Sequence, residues 1–191
     1  LSCYKTGITS LDVSKNTVLT YLHCTNTGIG SLDVSKNTVL SSLHCYNTGI
    51  TSLDVSKNTA LTTLYCSSTP LAYLNIGQNN NLTTVDASSL KTVELEMTED
   101  TFNMTEKFAG IDKSKITVTS GADYDSTTGV MSHYKAGTPI TYIYDCGTSS
   151  GGTNQEISVT LNLTDTRTDS TISITDDLSK TYDKTAVSAT P

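Results

Sequence analysis

Thiols and imidazoles recur in this sequence at one spacing. Cys3, Cys24, Cys45 and Cys66 stand 21 residues apart, and His23 and His44 precede two of them. Thiols at a fixed spacing invite a disulfide framework, and a pair of imidazoles invites a metal ion. The two histidines fall short of a closed metal site, because Tyr65 takes the next place in their column. An exposed His pair is the simpler expectation. Asp12, Asp33 and Asp54 form an acidic column, most simply balanced by Lys15, Lys36 and Lys57 on a solvated face. Asp123-x-Asp125-x-Thr127 begins like a calcium loop but lacks Gly at the sixth place and Glu at the twelfth. With Gly129 beside it, a polar hairpin is the better reading. Ser, His and Asp are all present, yet none sits in a motif that dictates catalytic geometry. Glu94, Glu96, Asp176 and Asp177 fall on strands or linkers, where charge serves solvation. The expectation is therefore no enzyme: no catalytic residue, no metal and no cofactor.

The elements that carry these residues follow from the repeat itself. Leu1-Ser2-Cys3, Leu22-His23-Cys24, Leu43-His44-Cys45 and Leu64-Tyr65-Cys66 mark successive units. Leu-Asp-Val-Ser-Lys-Asn-Thr returns at 11–17, 32–38 and 53–59, and a fourth unit keeps only the skeleton, as Leu74-Asn75-Ile76-Gly77-Gln78-Asn79. A fifth start, Val85-Asp86-Ala87, is not completed. In the second unit Leu22, Cys24, Ile29, Leu32, Val34 and Leu40 are the apolar set that must turn inward. Alternation along 21–25 sends Leu22 and Cys24 to the core and Tyr21, His23 and Thr25 outward. One unit alone offers too little apolar surface to offset the ordering of its backbone, so the units must stack. Parallel stacking at about 4.8 Å turns equivalent residues into columns. The Cys column then points inward, where thiols act as small hydrophobes. Parallel, in-register side chains suit the disulfide dihedral poorly, so free thiols are expected.

Bulk properties narrow the function classes. Hydrophobic residues make up 36% of the chain, with no Trp and two Phe, which excludes a large aromatic core and favours thin β layers. Residues 1–90 hold four Asp and four Lys, so the whole net charge of −7 lies in 91–191. No basic cluster exists to meet nucleic acid, and no apolar run approaches the roughly 18 residues of a membrane span. The chain opens partway through a repeat, without Met, and reads as a piece of a longer protein.

The repeat resembles the leucine-rich repeat, LxxLxLxxN, through Leu19-x-x-Leu22-x-Cys24-x-x-Thr27. Thr stands where that family has Asn, so Asn16, Asn37, Asn58 and Asn79 in the other half of each unit are the candidates for a buried amide ladder. Residues 91–165 change character: 93–97, 116–118, 140–144 and 157–163 alternate, with glycines between them. Their phrase Tyr144-Asp145-Cys146-Gly147 and closing strand resemble the Ig-like domain that follows the repeats in internalin-like bacterial surface proteins. The expected fold is mainly β: a leucine-rich-repeat solenoid over 1–90, capped by a small Ig-like β-sandwich over 91–165. Residues 166–191 read as a linker or the truncated start of a further Ig-like module.

The resemblance implies a bacterial cell-surface or secreted protein that binds a protein ligand on the concave repeat face, host or cell-surface glycoproteins included. Tyr4, Tyr21, His23, His44, Tyr46 and Tyr65 are the candidate contact residues, because amphipathic rings suit interface anchors. The alternative is a spacer that holds other modules away from the envelope, with any catalysis elsewhere in the parent chain. At the junction, the segment Val85 through Met97 is the candidate cover for the last coil, and the expectation is a rigid, fused unit whose first sandwich strand extends the solenoid edge.

Overall fold

The computed structural model describes residues 1–135 and 137–166. The module read at 166–191 therefore lies, apart from Thr166, outside the described residues. In chain order the repeats contribute strands β1 (Tyr21–His23), β2 (Ser42–His44), β3 (Ser52–Asp54), β4 (Thr63–Tyr65), β5 (Tyr73–Asn75), β6 (Gly77–Gln78) and β7 (Thr84–Asp86). Then follow β8 (Val93–Met97), β9 (Phe102–Asn103), the one-turn helix α1 (Met104–Lys107), β10 (Ile116–Ser120), β11 (Asp123–Asp125), β12 (Val130–Ser132), β13 (Ile140–Thr148) and β14 (Asn154–Asp165).

The repeats form a β-solenoid. One parallel sheet runs β1-β2-β4-β7, and a second, β3-β5, lies in the other half of the coil. Register is strict: Leu22 pairs with Leu43, Leu43 with Leu64 and Leu64 with Val85, so each rung sits one 21-residue period from the last. The apolar set of the second coil, Leu22 through Leu40, is buried as the periodicity requires. Cys24, Cys45 and Cys66 are buried free thiols, and Cys3 at the open end is half-buried. Burial pushes the Cys24 and Cys66 thiols up to about 12 and raises Cys45 well above its ordinary value.

Two polar ladders keep the buried backbone satisfied. Asn37 Nδ2 donates to the carbonyls of Val13 and Asn16 at 3.0 and 2.8 Å. Asn58 repeats this one coil on with Val34 and Asn37, at 2.9 and 2.8 Å, and Asn79 reaches Asn58 at 2.8 Å. The other half of each coil uses Thr. Thr27, Thr48 and Thr69 hydroxyls donate back to the carbonyls of Cys24, Cys45 and Cys66 at 2.7, 2.9 and 2.6 Å. A short hydroxyl closes a bond three residues back within its own coil, whereas the longer amide spans to the coil before.

The acidic column is held first by turn bonds, with Lys15 and Lys36 as the smaller favourable influence on Asp12 and Asp33. Asp12, Asp33 and Asp54 each accept the backbone N–H two residues on, from Ser14, Ser35 and Ser56, all at 2.8 Å. Among the described residues no ion pair joins them to Lys15, Lys36 or Lys57; the pair found is His133 with Asp123. A turn bond from a backbone N–H to the carboxylate closes locally, while an exposed ion pair must hold two side chains in one geometry for little gain.

After the repeats, β10-β13-β14-β8 form a mixed sheet and β11-β12-β9 an antiparallel one. The polar hairpin stands where it was read, between β11 and β12, with Asp125 accepting from the N–H of Thr127 at 2.8 Å. The capping expectation needs correction. β8 pairs in parallel with β14 and not with the solenoid edge. The strand that meets the last coil is β13, whose Gly147–Thr148 pairs with β6. Ile76 N–H donates to the Cys146 carbonyl at 2.9 Å and Asn79 N–H to that of Thr148 at 3.0 Å. Tyr142, Tyr144 and Cys146 share one buried face of β13, and Tyr142 Oη donates to the Ala72 carbonyl at 2.6 Å. Two tyrosines and a thiol cover the open end of a solenoid better than β8, whose buried positions are Val93 and Met97 at its two ends.

Each Asn amide in the stack serves otherwise buried carbonyls, so Asn58→Ala should cost about 1–3 kcal/mol in urea unfolding. Asn16→Ala, at the exposed first rung, should cost under about 0.5 kcal/mol. Equal losses at both would remove the ladder's stabilising role. A Cβ at Gly147, whose φ is +105°, would collide with the Gly77 carbonyl. Gly147→Ala should accordingly lower stability by at least about 2 kcal/mol and loosen the junction. Unchanged protection of the Ile76 and Asn79 amides in hydrogen exchange would show that the junction tolerates the methyl.

Candidate binding face

The outward side of β1-β2-β4-β7 carries a contiguous group of rings. His23 and His44 are equivalent residues on adjacent rungs, their centroids 5.4 Å apart. Tyr4 stacks on His23, with centroids 4.9 Å apart and planes 5° from parallel. Tyr65 meets His44 edge-on at 4.9 Å. Tyr21, from the column two residues earlier, leans across to both imidazoles, at 6.2 Å from His23 and 5.4 Å from His44. Five of the six residues read from the sequence thus form one unbroken ring surface. Tyr46, exposed on the neighbouring column, stands outside it.

Hydroxyls fix the imidazoles. His23 Nε2 lies 2.9 Å from Thr25 Oγ1, and His44 Nε2 lies 3.0 Å from Ser42 Oγ. Partial burial, then the neighbouring His23, hold His44 below the ordinary imidazole value. Among the described residues no three His, Cys, Asp or Glu side chains converge as a metal site would need. The face presents broad rings in mutual contact, with one imidazole nitrogen of each histidine held by a hydroxyl, which suits contact with another surface.

Two features escaped the sequence reading. Thr25 shares the outward side with His23, yet it is fully buried, because the imidazole and Asn26 close over its hydroxyl. Lys5, Asn26, Asn47, Ser68 and Ser89, one per coil, all adopt left-handed backbone, with φ between 50° and 56°. There Asn47 Nδ2 donates to Asn26 Oδ1 at 2.7 Å, and Lys91 Nζ donates to Asn47 Oδ1 at 2.9 Å. This gives the ring surface a polar border. The signal was available: the position holds no β-branched residue in any of the five coils, as left-handed backbone demands.

No family model matches the sequence, and no curated protein matches it. Among solved structures the chain is similar to one from Listeria monocytogenes, described as the functional domain of InlJ that includes a cysteine ladder. The identity is 19% and the TM-score 0.36, over 86% of this chain and 52% of that one, so the chain spans about half of its length.

The imidazole pair supplies a measurable signature. His44 should titrate below the unperturbed value of about 6.5, and His23→Ala should raise its pKa by removing a like charge. The neutral form is the one the fold favours, so this contribution to stability is present above the unfolded pKa and is lost as pH falls through the folded value. Side-chain NMR titration reads both effects; an unchanged His44 pKa in the variant would uncouple the two rings.

Proposed function

We propose that this chain is a non-enzymatic binding or adhesion segment of a bacterial cell-surface or secreted protein. It takes a protein ligand on the ring-bearing face of an internalin-like leucine-rich-repeat array. In this reading residues 1–90 are the repeats and residues 91–165 an Ig-like domain that caps them. The observation that carries the reading is the unbroken surface of Tyr4, Tyr21, His23, His44 and Tyr65, with Tyr4 and Tyr21 about half exposed. Large rings already ordered by one another lose little entropy on binding and offer apolar area with polar edges, the properties of interface anchors. Tyr46 and the Asn26–Asn47–Lys91 border would supply the polar rim.

Binding of the fluorescently labelled chain to epithelial cells, with and without prior protease treatment of the cells, tests the reading. The expected result is saturable, protease-sensitive binding that Tyr4→Ala/Tyr21→Ala weakens by tenfold or more. Val18→Ser/Val39→Ser, exposed and away from the rings, should leave it unchanged. Binding that ignores the tyrosines, or none at all, would favour the spacer reading instead.

A further inference from the structure

Among the described residues the solenoid stack ends on an unpaired strand edge. β7 pairs with β4 on one side, and among the described residues no strand pairs with its other side. β14 has a similar gap. Residues 161–165 pair with β8, whereas among the described residues 154–160 are paired on the β13 side alone. Between these two open edges lies a cavity of about 280 Å³, walled by Leu74, Val85 and Ile157 and edged by Asp86, Gln155 and Glu156. In β7 the Thr84 N–H and the Asp86 carbonyl are spent on the preceding coil, at 3.1 and 2.8 Å. By alternation, the backbone groups of Val85 and Ala87 face the gap.

We propose that an extended peptide segment of a partner chain adds to the β7 edge as the next rung, presenting a Lys or Arg between apolar residues. Backbone complementarity selects an extended chain, since unpaired N–H and C=O groups in a row are what a strand satisfies. Alternation fixes its pattern. The peptide residue beside Val85 points inward against Leu74 and Ile157, and the residue beside Asp86 points outward with it. Charge fixes the outward residue: Asp86 and Glu156 edge the gap, and no Lys or Arg lines it. The Ser88 hydroxyl, 2.6 Å from the Asp86 carboxylate, and its backbone N–H at 3.1 Å keep that carboxylate ionised below the ordinary range. A bare cation would leave the apolar wall unused.

The probe is acetyl-Thr-Val-Lys-Val-Thr-amide, titrated to millimolar concentration into the isotope-labelled full chain. The expected result is amide shifts and hydrogen-exchange protection centred on Val85, Ala87 and Gln155–Ile157. Asp86→Asn, or Glu in place of the probe's Lys, should weaken binding at least threefold. Methylating every backbone nitrogen of the probe should weaken it roughly tenfold or more, the effect of losing two hydrogen bonds. Tyr21→Ala should leave binding unchanged, which separates this site from the ring-bearing face. Equal binding of the methylated probe, shifts centred elsewhere, or no shift at millimolar peptide would each overturn the proposal.

Discussion

Everything in the repeat half depends on coils stacking in strict register. A coil of 21 residues is too thin to enclose its own core, so its inward side chains are buried only when coils lie above and below. Register makes that burial possible, because leucine meets leucine and thiol meets thiol down each column. A slip of one residue would send the inward set to solvent. The asparagine ladder opposes such a slip. Its amides reach carbonyls 21 and 24 residues earlier, and those acceptors exist at one registration only.

The same constraint creates the problem at the end of the array. A stack that satisfies each coil through its neighbour leaves the last one unsatisfied, with core and strand edge exposed together. β13 meets half of that need: its tyrosine face covers the apolar end, and its Gly147–Thr148 segment pairs with β6. The requirement shows even in the residue choice, since Gly147 lies so close to the Gly77 carbonyl that a methyl group has no room. Among the described residues β7, which opens the next coil, keeps its far edge unpaired.

The repeat half was legible because its information is local and periodic. Period, inward set and amide ladder all follow from comparing one coil with the next. The junction was not legible in the same way. Alternation in Ile140–Tyr144 announces a strand and its buried face, but it does not say which edge the strand will meet. Proximity in the chain favoured β8 as the cap, and the competition was decided by side-chain bulk, which β13 has and β8 lacks. At the ring-bearing face, the columns were readable, but the lean of Tyr21 across to the imidazoles was not. Nor was the burial of Thr25, since alternation gives the side a residue faces and not what its neighbours lay over it.

Repetition and recognition divide the coil between them. The segment Leu-Asp-Val-Ser-Lys-Asn-Thr is identical in three coils, and its Leu, Val and Asn positions pack in the column that joins one coil to the next. The outward column of the ring-bearing sheet runs Ser2, His23, His44, Tyr65, Asp86 and changes at almost every step. Stacking cannot account for that variation, since an outward position needs only to permit a strand. The rings of that side lie in contact, and the two imidazoles are ordered by hydroxyl bonds with Thr25 and Ser42. The likeness of the coils therefore belongs to the scaffold. Along that column the residue varies, while the buried rows beside it hold Leu and Cys through four coils, which separates a position that only permits a strand from one that packs a core.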